Sequence, residues 1–257
     1  MTKISKEHLY IWCHNAGVYN QIDPERLDDE SFATPVEAAD YMGIENIIMV
    51  CSGGKPVPPF APIQEEFKKY GKVIWSIIGE AACVYDSDEA YVDEVISLHK
   101  NYSNVCGGIM DDFFNERRTK FNLDAIKTKM RAANLPLWVV VYDYQIDNED
   151  VLRKLQECDV ITFWTWDIKN IASMEKNLTD LRNRFPDKKI VAGCYLWNFG
   201  GRVVPQTVRH MEYQCNAALD LLKDGTINDI IILGSPLIGM KLPTIDWTRD
   251  WIKENFV

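Results

Sequence analysis

The sequence predicts an α/β fold in which parallel strands are connected by helices. Short apolar runs alternate with amphipathic stretches along the whole chain, as in repeated strand–helix units. Eight candidate strands fit within 257 residues, a usual length for a closed (β/α)8 barrel, or TIM barrel. A doubly wound open sheet is the alternative, but it usually has fewer strands, and no GxGxxG motif follows the first one here. We therefore predict a single (β/α)8 barrel domain over residues 1–257.

The candidate strands are apolar runs of four to six residues, the length expected for strands buried on both faces. They are predicted at Leu9–Cys13, Ile47–Cys51, Val73–Ile78, Gly107–Met110, Leu137–Tyr142, Val160–Phe163, Ile190–Tyr195 and Ile230–Leu233.

The helix that precedes the second strand has the clearest boundaries. Thr34 suits the N-cap, Pro35 the first helical position, Glu37 the capping-box position, and Gly43 the C-terminal end. Apolar spacing of three and four residues, or the position after a strand, predicts the remaining helices. These are Ile63–Tyr70, Glu89–Tyr102, Leu123–Ala133, Glu149–Cys158, Ile171–Phe185, Val208–Leu222 and Ile245–Phe256.

Composition excludes several classes of function. The 28 basic and 38 acidic residues give a net charge of −10, which opposes nucleic-acid binding. No apolar run approaches the roughly 20 residues of a membrane span. The seven cysteines lack CxxC spacing, so neither a disulfide framework nor a cysteine zinc site is predicted. The first residues lack an apolar signal region, which predicts a cytoplasmic protein, or a periplasmic or secreted one if a signal peptide had been removed. No cofactor or metal is predicted, and the oligomeric state stays open.

Barrel enzymes carry their chemistry on the loops that follow the strands, and the fourth strand is followed by two acidic residues. Asp111 and Asp112 lie in the segment GGIMDDFF. If Gly108 and Met110 face the barrel interior, strand alternation points Asp112 inward and leaves Asp111 as a supporting acid. A register shift of one residue would reverse the two roles, and a structural pair that bonds loop amides is the alternative.

A second catalytic carboxyl group has three candidates. Asp167 follows the sixth strand, although it could instead cap the next helix. Glu80 follows the third strand, where it could also be a solvated loop acid. Asp143 follows the fifth strand between two tyrosines and is the third choice.

Aromatic and polar residues at the strand ends suggest a carbohydrate ligand. Sugar ring faces pack on aromatic side chains, and sugar hydroxyls need hydrogen-bond donors and acceptors. The predicted substrate-binding residues are Trp164, Trp166, Trp197, Asn198, Tyr142, Asp143, Tyr144 and His14.

These residues predict a glycosidase that uses two carboxyl groups and no cofactor. One alternative is a divalent-metal isomerase, aldolase or lyase, with Glu80, Asp112 and Asp143 as oxygen ligands. Another is a barrel that binds a glycan without cleaving it, which Asn198 supports because the seventh strand ends without a carboxylate.

The segments GGIMDDFF, FWTWD, GCYLWNFGG and DWTRDWI resemble a group of uncharacterised bacterial (β/α)8-barrel proteins described as glycoside-hydrolase-like. In that group the seventh strand often ends with Asp, where this chain has Asn198. Acids after strands four and six are also similar in position to those of α-galactosidase-type retaining enzymes. That resemblance implies Asp112 as nucleophile and Asp167 as acid/base.

Overall fold

The computed structural model describes residues 3–21, 30–78, 89–114, 122–201 and 204–257. Eight parallel strands close into a barrel, so the predicted (β/α)8 fold is confirmed. In chain order, the barrel strands are Leu9–Cys13, Asn46–Met49, Lys72–Ser76, Val105–Met110, Leu137–Tyr142, Val160–Trp164, Lys189–Tyr195 and Asp229–Leu233.

The described α-helices follow the strands around the barrel. They are α1 (Pro35–Met42), α2 (Ala61–Glu66), α3 (Glu89–Asn101), α4 (Leu123–Ala132), α5 (Glu149–Leu155), α6 (Met174–Arg184), α7 (Val208–Lys223) and α8 (Pro243–Asn255).

Closure of the barrel depends on the first strand, which pairs with both the second and the eighth. Ile11 lies beside Ile47 on one side and beside Ile232 on the other. All three side chains are buried, because the strands contact the barrel interior on one face and the surrounding helices on the other. The continuous apolar runs in the sequence follow from this double burial.

Helix α1 has the boundaries that the sequence predicts. The Thr34 side chain accepts a hydrogen bond from the Glu37 backbone N–H at 3.2 Å, and the Glu37 carboxylate accepts one from the Thr34 backbone N–H at 2.9 Å. Gly43 ends the helix with a φ of 67°, a conformation that glycine adopts without strain. Both ends of this helix are therefore determined locally.

Other segments are more irregular than predicted. The chain from Ile168 to Ser173 is a 3-10 helix, and only then does α6 begin. A short antiparallel ladder pairs Trp197–Asn198 with Val204–Pro205. A two-residue strand has no readable periodicity, so the sequence does not indicate it. No helix among the described residues combines the length and the hydropathy that a membrane crossing requires.

Candidate active site

A cavity of about 240 Å³ lies where the carboxyl ends of the barrel strands meet. This is the end of the barrel at which enzymes of this fold carry their chemistry. The described residues that line it come from most of the barrel strands or from the loops that follow them. They are Trp12, His14, Tyr19, Cys51, Ser52, Asp111, Asp112, Val140, Tyr142, Trp164, Trp166, Tyr195, Phe199 and Leu233.

Both aspartates that follow the fourth strand line this cavity. The expectation that Asp112 alone faces inward assumed that Gly108 faces the barrel interior and that the strand stays regular through residue 112. The first assumption is wrong, because a Cβ on Gly108 would lie 2.7 Å from the Met130 side chain of helix α4, outside the barrel. The strand instead ends at Met110, and Asp112 has a φ of 52°, in the left-handed region. Side-chain alternation ends with the strand, so Asp111 and Asp112 are both brought to the cavity. Strained backbone of this kind is concentrated at functional sites in proteins.

Tyr142 orients one of the two carboxylates. Its hydroxyl donates a hydrogen bond of 2.8 Å to Oδ1 of Asp112. Burial, followed by the negative charge of Asp111, raises the pKa of Tyr142 well above its usual value. Burial and the same two aspartates also raise the pKa of Tyr195. Both phenols therefore stay protonated at neutral pH and remain hydrogen-bond donors beside the carboxylates.

Six aromatic residues form a continuous wall around the cavity, which we call the aromatic wall. Each ring contacts the next, with centroid separations between 4.6 and 5.3 Å. The order along the wall is Trp12, Trp164, Tyr195, Phe199, Trp166 and Tyr142. Rings held in this way offer flat apolar faces with little freedom to reorient.

The position of Trp164 depends on a glycine in the neighbouring strand. Trp164 pairs with Gly193 in the barrel register. A Cβ atom on Gly193 would lie 2.1 Å from the Trp164 indole ring, a distance that no two such atoms can adopt. The missing side chain therefore allows the indole to lie across the strand and form part of the cavity.

Asp167 is not among the described residues that line the cavity. Its carboxylate accepts a hydrogen bond from the Lys169 backbone N–H at 3.1 Å and caps the 3-10 helix that begins at Ile168. The Asp167 side chain also packs closely against Gly200. A Cβ added to Gly200 would lie only 2.4 Å from the Cβ of Asp167. The capping alternative thus describes the observed geometry, and the acid/base role implied by the α-galactosidase resemblance has no support from the position of Asp167.

Two more predicted site residues hold loops together. Asp143 accepts hydrogen bonds from the Trp166 backbone N–H at 3.0 Å and from the Asn170 side chain at 2.7 Å. Asn198 accepts one from the Ile168 backbone N–H at 3.0 Å and donates one to the Gly200 carbonyl at 2.6 Å. Neither lines the cavity among the described residues, but Asp143 fixes the backbone of Trp166, which does.

None of the next three predicted site residues is found among the described residues that line the cavity. Trp197 is only 2% exposed, packs in the core and is not among the described residues that line the cavity. Tyr144 is 61% exposed and stacks on Tyr142 at a centroid distance of 5.5 Å, outside the lining. Partial desolvation of its phenol, followed by the charge of Asp112, raises the pKa of Tyr144 above its usual value. Glu80 lies outside the described residues.

His14 lines the cavity and is 5% exposed. The Trp12 indole N–H lies 3.4 Å from its Nε2. Because that indole can only donate, Nε2 must accept, and the proton of the neutral ring is then on Nδ1. Nδ1 is buried and has no hydrogen-bond partner among the described residues. Burial lowers the pKa of His14 from 6.5 to about 3, so the ring is neutral at physiological pH.

His14 is expected to make folding stability depend on pH. In the unfolded chain it takes up a proton below about pH 6.5, whereas in the folded chain it does so only near pH 3. Its contribution to stability is therefore lost as the pH falls between these values. When the pH is lowered from 7 to 5, the unfolding free energy of the wild type should fall. The fall should be smaller by about 2 kcal/mol in His14→Phe, which has no group to protonate at this position. Urea denaturation at both pH values measures this, and equal losses in the two proteins would contradict it.

The described residues offer no site for the divalent metal ion of the alternative hypothesis. No group of three or more His, Cys, Asp or Glu side chains there has an arrangement that could hold a metal ion. Of the three predicted metal ligands, Asp112 accepts a hydrogen bond from the Tyr142 hydroxyl, and Asp143 accepts one from the Trp166 backbone N–H. The third, Glu80, lies outside the described residues.

Four aromatic residues of the lining were not predicted as site residues. Trp12 and Tyr195 lie at the ends of the first and seventh barrel strands, so their position in the sequence could have identified them. Tyr19 lies in a four-residue 3-10 helix and Phe199 in a loop, and neither segment has a periodic signal. Their rings lie 6.3 Å apart, and only the folded chain brings them together.

Comparisons with known proteins extend the fold assignment. No family model matches the sequence, and no curated protein matches it. A candidate alpha-L-fucosidase from Bacteroides thetaiotaomicron is similar in structure, with a TM-score of 0.58 and 12% identity, over 86% of this chain and 87% of that one. A GH18 chitinase from Flavobacterium johnsoniae has a TM-score of 0.53 and 10% identity, over 99% and 96% of the two chains.

A third similar structure belongs to a protein whose ligand is not a carbohydrate. It is a protein from Clostridium thermocellum that binds two copies of 5-methyl-5,6,7,8-tetrahydrofolic acid, with a TM-score of 0.57 and 9% identity, over 96% and 95% of the two chains. At such identities the similarity shows a common fold and nothing finer. The chain is thus similar to (β/α)8 barrels that include glycoside hydrolases, while membership in the glycoside-hydrolase-like group stays a prediction.

Proposed function

We propose that this protein is a glycoside hydrolase that acts at the cavity of the barrel mouth. The observation that carries the proposal is the presence of Asp111 and Asp112 in one cavity with the aromatic wall. Aromatic rings bind the C–H face of a sugar, and carboxyl groups supply the proton transfer and charge stabilisation that cleavage of a glycosidic bond requires.

Asp111 and Asp112 are the proposed catalytic pair. One carboxyl group donates a proton to the leaving oxygen, and the other acts on the anomeric carbon, either directly or through a water molecule. Tyr142 is a positioning residue, because its hydroxyl holds Oδ1 of Asp112 in place. A carboxylate that is already oriented needs no reorganisation when the reaction begins.

The size of the cavity supports a small sugar substrate. Its volume of about 240 Å³ is below the roughly 300–1,000 Å³ of pockets that hold drug-sized ligands. We therefore propose that one sugar unit at the end of a glycoside occupies it.

A screen of 4-nitrophenyl glycosides and natural oligosaccharides tests this function. Released nitrophenol or new reducing ends, formed much more slowly by Asp112→Asn, are the expected result. Activity that a chelator abolishes and added Mg²⁺ restores would favour the metal-dependent alternative. A complete lack of cleavage across the screen would contradict hydrolysis.

One observation favours a second candidate, a barrel that binds glycans without cleaving them. Among the described lining residues, the carboxylates come from two consecutive positions of one loop, and none comes from the opposite side. Calorimetry on the same glycosides separates the two functions, because tight binding with no product after long incubation is expected only of a binding protein.

A further inference from the structure

We infer that His14 is a specificity-determining residue whose neutral Nδ1–H donates a hydrogen bond to a ring hydroxyl of the bound sugar. This inference rests on the proposed function, since it identifies the part of the cavity that recognises an acceptor oxygen. Nδ1 of His14 would donate a hydrogen bond to the sugar, which an ionised carboxylate cannot do because it only accepts.

The first support is the fixed tautomer of the ring. Nε2 faces the Trp12 indole N–H at 3.4 Å, so Nε2 is the acceptor and Nδ1 holds the proton. Trp12 is itself held by an edge-to-face contact with Trp164, at a centroid distance of 5.2 Å. The Tyr19 ring lies 5.4 Å from the imidazole and limits its movement from another side.

The second support is the backbone beneath the ring. The His14 N–H donates to the Ser235 hydroxyl oxygen at 3.0 Å, and that oxygen lies 3.3 Å from the His14 carbonyl as a possible donor. Ser235 thus anchors both polar backbone groups of His14. Such anchoring keeps a binding side chain in one position before the ligand arrives.

The third support is the unsatisfied donor. His14 is only 5% exposed and lines the cavity, yet Nδ1 has no hydrogen-bond partner among the described residues. Buried polar groups are almost always hydrogen-bonded, and an exception needs an explanation. A hydroxyl oxygen of a sugar in the adjoining cavity supplies the missing acceptor. An ammonium group cannot accept this bond, so the position favours a neutral sugar over a protonated amino sugar.

The test uses binding in an Asp112→Asn background, so that it needs no turnover. Calorimetry compares 4-nitrophenyl glycosides with their monodeoxy analogues. His14→Phe, which removes the donor, should weaken binding of the parent glycoside about 10- to 100-fold. One monodeoxy analogue should bind equally well to both proteins, because it lacks the acceptor. His14→Asn, whose amide N–H can take the place of Nδ1–H, should recover at least part of the loss.

His8→Phe is the matched control. His8 precedes the same strand at its other end, where its Nδ1 lies 2.9 Å from the Asn228 carbonyl and 3.0 Å from Asp229, away from the cavity lining. Its replacement should leave glycoside binding unchanged. ¹⁵N NMR of the unliganded protein gives an independent readout, in which His14 should show a protonated Nδ1 and no titration between pH 5 and pH 8.

The outcomes are distinguishable. Glycosides that bind equally well to the Asp112→Asn protein with and without His14→Phe overturn this inference but leave the proposed function standing. A His14 ring with its proton on Nε2 also overturns it. If no glycoside binds to any variant, the proposed function fails and the sugar recognition inferred for His14 fails with it.

Discussion

Asn in place of Asp112 is expected to lower kcat of glycoside cleavage about 10²- to 10⁴-fold, the usual contribution of a positioned acid or base. Asn keeps the size of the side chain and can still accept the Tyr142 hydrogen bond through its amide oxygen. It also tolerates the left-handed backbone that Asp112 adopts, so the fold should remain intact. Steady-state kinetics on an active glycoside, with circular dichroism to check folding, measure the effect.

Asp167→Asn is the matched control. Its side chain caps the 3-10 helix and is not among the described residues that line the cavity, so its kcat should stay within a few-fold of the wild type. If kcat fell strongly in Asp167→Asn and only slightly in Asp112→Asn, Asp167 would be the catalytic residue and Asp112 would not. That result would restore the acid/base role that the α-galactosidase resemblance implies for Asp167.

Ala in place of Gly193 is expected to destabilise the protein by about 3 kcal/mol and to abolish sugar binding. The added Cβ would lie 2.1 Å from the Trp164 indole, so the ring must move out of its position in the aromatic wall. Overpacking of a dense core typically costs about 1–3 kcal/mol, and this contact is with a rigid ring. Urea denaturation measures the loss of stability, and tryptophan fluorescence together with calorimetry measures the displacement of the ring and the loss of binding.

A double mutant separates the steric effect from a general loss of packing. Trp164→Leu leaves space for the methyl group that Gly193→Ala adds. Combining the two changes should therefore destabilise the protein by at least about 1 kcal/mol less than the sum of the single changes. Binding should remain lost, because the indole face is gone. Strictly additive free energies would show that the Gly193 position does not act through Trp164.

The barrel strands were predictable because each is buried on two faces. That burial requires a short apolar run, such as Ile230–Leu233, and such runs are visible in the sequence alone. The limits of helix α1 were predictable because its capping groups are local, between Thr34 and Gly43. The 3-10 start of the Ile171–Phe185 helix was not, because Asp167 and the loop around Gly200 are adjacent only in the folded chain.

The candidate site was predictable in part. The position of Asp112, Tyr142, Trp164 and Trp166 at the barrel mouth could be predicted because each lies at or just after the end of a barrel strand. Strand position cannot separate a lining side chain from one that caps a loop, and for this reason Asp143 and Asn198 were grouped with them.

The sequence by itself determined the barrel and the end of it at which the polar and aromatic groups collect, because strand burial and helix capping are properties of neighbouring residues. Tertiary structure alone decided which of those groups share a cavity. It brought Asp111 as well as Asp112 to the cavity, used Asp167 to cap a 3-10 helix, and laid Trp164 across Gly193. Each of these outcomes depends on contacts between loops or strands that are distant in sequence, or on a break in strand geometry that residue types do not specify.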